Sequence, residues 1–108
     1  MYNYEGKVIS VYDGDTITME IDLGLHVTIT EKIRLARINA PEIRGKQRVL
    51  GLESKSHLIS LILNKEVKIR TIKDRKGKYG RYLGEISLNG VSINDKMVKD
   101  GKAVYKKY

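Results

Sequence analysis

The sequence predicts a fold that is mainly β with α, namely a five-stranded OB-fold barrel with the element order β-β-β-α-β-β-α. Three observations support this prediction. Apolar and polar residues alternate with period two through much of the first 38 residues, as they do in half-buried strands. Residues 49–63 have helical spacing instead, and two further strand patterns and a short helical pattern follow. A helix between the third and fourth of five strands is the plan of an OB-fold.

The first three strands are predicted to form a meander. A β-rich run at 8–12 predicts the first strand, and strict alternation over 16–23 predicts the second. The Asp13-Gly14 pair between them is a hairpin turn signal. Leu23-Gly24-Leu25 predicts the next turn, and the third strand follows over 27–35.

A longer helix and two strands complete the barrel. The helix is predicted over 49–63, with Asn64 as its C-terminal stop. Alternation over 67–71 and a β-rich run over 82–88 predict the fourth and fifth strands. The residues expected on the apolar face of the helix are Leu52, Leu58, Ile59, Ile62 and Leu63.

A short second helix is predicted after the Asn89-Gly90 turn. Asn94 is its expected N-cap, and Ile93 and Val98 are spaced for a hydrophobic staple around that cap. Gly101 is expected to end the helix, since glycine adopts the left-handed conformation that a helix terminus needs.

Chain length and composition exclude several classes of protein. The 108 residues predict a single domain, 1–108, with enough apolar residues for a core. The chain has no Cys, which excludes disulfides and thiolate metal sites. No apolar run approaches the ~20 residues of a membrane span. The first residues lack the basic and apolar regions of a signal peptide, so a cytoplasmic location is expected.

The charges are unevenly distributed along the chain. The net charge is +8, yet residues 1–30 have one Lys and five acidic residues. Residues 31–50 have six basic and two acidic residues, and residues 65–81 have eight basic and two acidic ones. An acidic segment beside two basic ones predicts a site for both a cation and a phosphate. The favoured partner is nucleic acid rather than a membrane, and no protein partner is expected.

Three segments carry candidate chemistry. Asp13-Gly14-Asp15-Thr16 places two carboxylates on a tight turn, where oxygen ligands suit Ca²⁺ or Mg²⁺, although Asp-Gly is also ordinary turn chemistry. The second segment is 33–42, in which Arg34 is expected to point away from the core and to bind a phosphate. Asn39, the Ala40 carbonyl and Glu42 are then expected to cluster at the same strand end, where Glu42 takes a proton from water. The alternative interpretation is an Arg on a solvated face and a strand that Pro41 ends.

The third segment is the basic loop Asp74 to Gly80, which leads into Arg81. One interpretation is a charged surface turn. The other is that Arg81 projects toward Asp15 and Glu42, so that guanidinium groups on both sides of a phosphate stabilise its developing charge.

Taken in order, these segments resemble motifs of the staphylococcal nuclease (thermonuclease) family. The matching motifs are Asp13-Gly14-Asp15-Thr16, then Arg34-Leu35 with Asn39-Ala40-Pro41-Glu42, then Lys78-Tyr79-Gly80-Arg81. The resemblance extends from about Gly6 to Tyr105. It implies an OB-fold endonuclease, a Ca²⁺-dependent hydrolase that cleaves phosphodiester bonds of DNA and RNA with little sequence preference. Single-stranded nucleic acid is the favoured substrate.

The resemblance also implies roles for individual residues, carried over by position. Asp15, Asn39 and the main-chain oxygen of Ala40 resemble the metal ligands. Glu42 resembles the carboxylate that activates water, and Arg34 and Arg81 resemble the phosphate-binding arginines. The residues expected to border the nucleotide are Tyr79 and Tyr105.

One departure leaves an alternative open. The family usually has Asp where this chain has Asn39, so the site has one negative charge fewer and weaker metal binding is expected. The alternative is a catalytically weak or inactive module of the same fold that binds single-stranded nucleic acid. A third hypothesis, a basic structural or ribosome-associated protein, leaves the carboxylate pair unexplained.

Overall fold

The strands and helices follow the predicted order in a computed structural model that describes residues 2–72 and 79–106. Three two-residue strands add to the five long strands and two helices. The elements are β1 (Asn3–Asp13), β2 (Thr16–Asp22), β3 (Thr28–Leu35), β4 (Ile38–Asn39), α1 (Arg48–Ile62), β5 (Glu66–Thr71), β6 (Tyr82–Leu88), β7 (Val91–Ser92), α2 (Ile93–Lys99) and β8 (Val104–Tyr105).

The five long strands close into the predicted OB-fold barrel. Neighbouring strands follow the order β3-β2-β1-β5-β6. All of these neighbours are antiparallel, and the barrel closes where β3 pairs in parallel with β6, from Ile33 opposite Tyr82 to Leu35 opposite Gly84. Closure gives each long strand of the barrel a partner on both sides over at least part of its length.

The core lies inside the barrel and under α1. Alternate residues of each strand point inward, and α1 covers one end of the barrel with Leu58 and Ile62. The largest fully buried side chains of the strands are Val8, Ile17, Met19, Ile33, Leu35, Ile38, Ile69 and Ile86. The outward residues of the same strands are therefore available for a site.

The first strand begins earlier than the sequence predicts, at Asn3 rather than at residue 8. Its first half pairs on both sides, with β2 and with β5. Gly6 allows this packing, because a Cβ there would fall onto the carbonyl oxygen of Glu20 in β2. A glycine in a strand gives little local signal, so the sequence pattern understated the strand.

The buried face of α1 also differs from the prediction. The buried residues are Gly51, Ser54, Leu58 and Ile62, whereas Leu52 is 38% exposed. The helix lies so close to the β1–β2 turn and to residues 42–43 that only small residues, Gly51 and Ser54, fit where it contacts them. Asn64 ends the helix region with a φ of 62°, as predicted.

The N-cap of α2 is Ser92, so the predictions of an Asn94 cap and of its hydrophobic staple are wrong. The Ser92 hydroxyl accepts the Asp95 N–H at 3.2 Å, which is the usual capping bond. Asn94 is instead fully buried, where its amide binds the Ile86 N–H and two carbonyl groups. Gly101 ends the helix with a φ of 75°, as predicted.

Neither helix in the described ranges is both long and apolar enough to cross a membrane.

Candidate functional site

Asp15 lies at the centre of the contacts between the three candidate segments. β1 ends at Asp13 and β2 begins at Thr16, so Gly14 and Asp15 form the turn between them. One Asp15 carboxylate oxygen accepts the Thr16 hydroxyl at 3.1 Å. The other accepts the Ala40 N–H at 2.8 Å, which joins the turn to the segment after β4. Asp15 is only 6% exposed, so these hydrogen bonds fix its carboxylate.

The turn packs directly against α1. A Cβ on Gly14 would overlap the Ser54 hydroxyl and approach the Ala40 Cβ to 2.7 Å. Ser54 is itself held, since its hydroxyl donates to the Lys102 carbonyl at 2.8 Å. The absence of a side chain at Gly14 therefore allows the helix, the turn and Ala40 to meet.

Arg34 points outward from β3, as predicted, because its neighbours Ile33 and Leu35 occupy the core. Its Nη2 lies 3.3 Å from the Asp15 Oδ2 and donates to the Asn39 Oδ1 at 3.2 Å. Its Nη1 donates to the Leu35 carbonyl at 2.7 Å. The guanidinium is thus oriented by three partners beside the Asp15 carboxylate.

Arg81 reaches the same carboxylate through Thr16. Its Nη1 donates to the Thr16 hydroxyl at 3.2 Å, and that hydroxyl donates to Asp15. The Arg81 guanidinium also lies 5.2 Å from the centre of the Tyr79 ring, within cation–π range. Both arginines therefore belong to one hydrogen-bonded group, from Arg34 through Asp15 and Thr16 to Arg81. Residues 74–78 of the predicted basic loop, including Lys78, lie outside the residues that the structure describes.

Asp13 is a second carboxylate beside Asp15, to which the sequence interpretation gave no separate role. Its Oδ1 accepts the Asp15 N–H at 3.1 Å. The pKa of Asp13 is raised to about 6. Partial burial is the largest cause, and the side-chain hydrogen bond with Asp15 and the charge of Asp15 act in the same direction. The Asp-Gly-Asp spacing was the available signal, but only folding shows that the two carboxyl groups share one environment.

Glu42 lies two residues after Ala40, on the segment that Asp15 holds. Its carbonyl lies against Gly51 of α1, and its N–H donates to the Gln47 side chain at 3.4 Å. The residue is exposed, and within residues 2–72 and 79–106 its carboxylate has no hydrogen bond or ion pair. The backbone of Glu42 is therefore held against α1, two residues after the Ala40 that Asp15 binds, while its carboxylate is accessible to water.

Tyr105 lies in a different group of side chains. Its hydroxyl donates to Asp95 at 2.9 Å, and the Arg37 guanidinium lies 5.9 Å from its ring centre. Arg37 also binds both carboxylate oxygens of Glu85, at 2.7 and 2.8 Å. The Arg37 backbone has a φ of 68°, a conformation that nothing in the sequence pattern signalled. The structure joins Tyr79, but not Tyr105, to Arg81.

The donor atoms around the turn fit a hard cation in type. They are carboxylate oxygens of Asp13 and Asp15, the amide oxygen of Asn39 and the carbonyl of Ala40, which are ligands that Ca²⁺ and Mg²⁺ prefer. In the part of the chain that is described, no group of three or more His, Cys, Asp or Glu side chains could hold a metal. The negative charge available to a cation therefore comes mainly from two carboxylates.

Comparison with known proteins gives the family. The model of the family described as "Staphylococcal nuclease homologue" matches residues 32–108. A protein named as an uncharacterized endonuclease of Haemophilus influenzae is 37% identical over 105 residues, covering 94% of this chain and 53% of the relative. The thermonuclease of Staphylococcus hyicus is 30% identical over 105 residues, covering 94% and 59%.

A probable staphylococcal-like nuclease of rice, Oryza sativa, is 37% identical over 97 residues, covering 90% of this chain and 22% of the relative. The chain thus spans about half the length of the Haemophilus influenzae relative, and less of the rice one. The residues that the family model matches include the second and third motifs. This chain belongs to the staphylococcal nuclease homologue family.

Proposed function

We propose that this chain is a Ca²⁺-dependent nuclease that hydrolyses phosphodiester bonds of DNA or RNA with little sequence specificity. The observation that carries the proposal is the hydrogen-bonded group Arg34–Asp15–Thr16–Arg81, which holds two guanidinium groups and a carboxylate together. The names of the relatives, an endonuclease and a thermonuclease, support the same activity.

The two arginines would bind the phosphate that is cleaved. Their planar N–H groups match phosphate oxygens, and their charge stabilises the negative charge that grows during displacement. A bound Ca²⁺, held by Asp15, Asn39 and the Ala40 carbonyl with Asp13 nearby, would supply Lewis-acid polarisation of a phosphate oxygen. Because phosphate contacts carry no base information, little sequence specificity follows.

Glu42 would act as the general base. A water oxygen attacks phosphorus in line with the bond to the leaving sugar oxygen, and a proton of that water passes to the Glu42 carboxylate. The phosphorus–sugar oxygen bond breaks, and the sugar oxygen takes a proton from solvent to become a hydroxyl. Exposure of Glu42 supports this role, since water reaches the carboxylate directly. Tyr79, which lies beside Arg81, would border the nucleotide. The same role for Tyr105 stays a prediction, because its hydroxyl binds Asp95.

Replacing the base tests this proposal. Glu42→Gln should lower kcat on single-stranded DNA by about 10²–10⁴-fold in saturating Ca²⁺, because general-base catalysis contributes that much. The dissociation constant of the oligonucleotide should change little, since the amide keeps the size of the side chain. Glu53→Gln, on the exposed surface of α1, is the matched control. Cleavage by Glu42→Gln at the parent rate would exclude Glu42 as the base.

The second candidate is a module of the same fold that binds single-stranded nucleic acid with little or no catalysis. Asn39 favours it, because an amide replaces a carboxylate and its oxygen is occupied by Arg34 at 3.2 Å. In a gel assay with Ca²⁺, retardation of single-stranded DNA without its degradation would support the binding module. Degradation in Ca²⁺ that EDTA stops would support the nuclease.

Replacing Asn39 with Asp tests whether the missing negative charge weakens metal binding at the site. Asn39→Asp should lower the Ca²⁺ concentration for half-maximal activity roughly tenfold or more, because ligand charge sets Ca²⁺ affinity over orders of magnitude. Asn89→Asp adds the same charge in the exposed turn before β7 and should leave the Ca²⁺ response unchanged. An unchanged Ca²⁺ response in Asn39→Asp would place the cation away from residue 39.

A further inference from the structure

A groove lies on the outer surface of the barrel, next to the Asp15 turn. Its volume is about 580 Å³, which is within the usual range of ligand sites. We call it the Tyr12 groove; the lining residues that matter here are Tyr12, Thr16, Lys32, Lys55, Tyr79 and Arg81. Because Thr16 and Arg81 also belong to the proposed catalytic group, the groove is continuous with that group.

Strand register explains the position of Lys32. Thr16 pairs with Arg34 and Thr18 pairs with Lys32 across β2 and β3. Since Ile33 occupies the core, Lys32 and Arg34 share the outer face. Lys32 therefore precedes Arg34 by one strand repeat of two residues, on the same outer face.

The charged residues in the described lining of the Tyr12 groove are of one sign. They are Lys32, Lys55 and Arg81, and none of the lining residues within 2–72 and 79–106 is acidic. Among the residues that the structure describes, Lys32 and Lys55 have no carboxylate partner. The larger cavity of about 870 Å³ on β1, β5 and β6 differs, since its lining mixes acidic and basic residues: Glu5, Asp22, Glu85, Lys68 and Arg70. Of these two cavities, the Tyr12 groove is the better suited to a polyanion.

The Tyr12 groove also offers aromatic surface. The Tyr12 residue is 50% exposed, and its hydroxyl accepts a hydrogen bond from the Arg44 Nη2 at 2.7 Å. This bond restrains the ring without burying it. Tyr79, which lines the same groove, is 70% exposed. Aromatic faces beside cations are the means by which proteins bind unpaired bases and their phosphates.

We propose that the Tyr12 groove binds the segment of a single-stranded polynucleotide next to the phosphate that is cleaved. Lys32 and Lys55 bind its phosphates, and the Tyr12 ring stacks on one of its bases. The inference rests on the proposed function for the position of the cleaved phosphate, but it assigns residues that the catalytic group does not include. A duplex is excluded from this binding mode, because paired bases cannot stack on Tyr12.

The lysines are tested by the salt dependence of binding. Affinity for a fluorescein-labelled ten-nucleotide oligothymidylate is measured in EDTA at several salt concentrations. The slope of log affinity against log salt should become shallower by about 1.4 in Lys32→Gln/Lys55→Gln, since each phosphate contact with a single strand contributes about 0.7. Lys65→Gln/Lys68→Gln removes the same charge from exposed sites outside the groove and should keep the parent slope. A parent-like slope in the groove variant, or an equal loss in the control, would overturn the proposal.

Tyr12 is tested by a pair of substitutions. Tyr12→Leu should weaken binding of the same oligonucleotide about 5- to 150-fold, the range expected for loss of one stacked base. Tyr12→Phe retains the ring and should keep most of the affinity although the Arg44 bond is lost. Circular dichroism and Tm show whether each variant is folded. Equal affinities of the Leu and Phe variants would reject stacking at this residue.

Cleavage measurements separate this inference from the proposed nuclease. Lys32→Gln/Lys55→Gln should raise KM for a ten-nucleotide strand far more than for a dinucleotide, because a dinucleotide has no phosphate besides the cleaved one for these lysines to bind. If no chain cleaves but the groove variants bind less tightly, the Tyr12 groove stands and the nuclease fails. If all chains cleave and bind the longer strand alike, the nuclease stands and the groove fails.

Discussion

At the scale of single residues, the Asp13–Asp15 pair shows how folding changes the chemistry of a carboxyl group. Asp13 is partly buried beside Asp15, and both features disfavour its ionised form. Its pKa is raised from the ordinary value of 3.8 to about 6. Between these two values the unfolded chain releases the proton while the folded chain retains it, so rising pH favours unfolding. Above about pH 6 Asp13 is ionised in both states, and its contribution has lowered the free energy of unfolding by its full amount.

Removing this charge should therefore stabilise the protein at neutral pH. In EDTA, Asp13→Asn should raise the free energy of unfolding at pH 7 by about 1 kcal/mol, a value reduced from the full pKa shift because the side chain is partly exposed. The amide oxygen can still accept the Asp15 N–H. At pH 3.5 the gain should largely disappear, because Asp13 is mostly protonated in both states.

Urea denaturation at the two pH values measures this difference, with Glu20→Gln as an exposed control on β2. A gain at pH 3.5 as large as that at pH 7 would show that the effect is not due to the Asp13 charge.

At the scale of elements, α1 positions the site without contributing a proposed catalytic side chain. Its Gly51 lies against the Glu42 carbonyl, and its Ser54 lies against Gly14 of the β1–β2 turn. The helix thus supports both segments that supply carboxylates. The spacing of apolar residues along α1 does not reveal this role, because its small residues Gly51 and Ser54 make these contacts.

This packing reverses the usual effect of a helix substitution. Gly→Ala inside a helix ordinarily stabilises by about 1 kcal/mol. Gly51→Ala should instead destabilise by about 1–3 kcal/mol, since its Cβ would overlap the Glu42 carbonyl, which is backbone. The displaced Glu42 should also lower kcat. Tm and kcat are measured beside Ser56→Ala, an exposed change on the same helix. A stabilised Gly51→Ala with parent kcat would contradict this account of the helix.

At the scale of the whole molecule, the barrel converts an uneven linear charge into a local site. The acidic first segment and the basic second segment become neighbouring strands, β2 and β3. Arg81, far along the chain, joins them because β6 pairs with β3 to close the barrel. Cations and carboxylates therefore meet on one face although the net charge is +8.

Ligand binding to this assembled site should stabilise the whole fold. At a Ca²⁺ concentration ten times its dissociation constant, the folded state gains about 1.4 kcal/mol. That gain should raise Tm by roughly 5 to 10 °C for a domain of this size. Asp15→Asn should abolish the rise, whereas Asp22→Asn, in an exposed position at the end of β2, should retain it. Equal rises in all three chains would show that Ca²⁺ binds elsewhere.

The fold was predictable to the extent that it depends on neighbouring residues. The alternation from Thr16 onward, the turn at Asn89-Gly90 and the end at Gly101 are local patterns, and the structure has the elements they predict. The N-cap of α2 was not predictable in the same way. Asn94 is a good capping residue by type, but burial against β6 takes its amide and leaves Ser92 as the cap.

The candidate site divides along the same line. Sequence alone determined the order of the elements, the residue types in the three motifs and the family they resemble, because these depend on short stretches of chain. Tertiary structure decided that Asp15 meets Ala40, 25 residues away, and that Arg81 meets Thr16, 65 residues away. It also placed Tyr105 beside Arg37 and opened the Tyr12 groove. Contacts over such separations depend on strand register and barrel closure, and no local pattern contains that information.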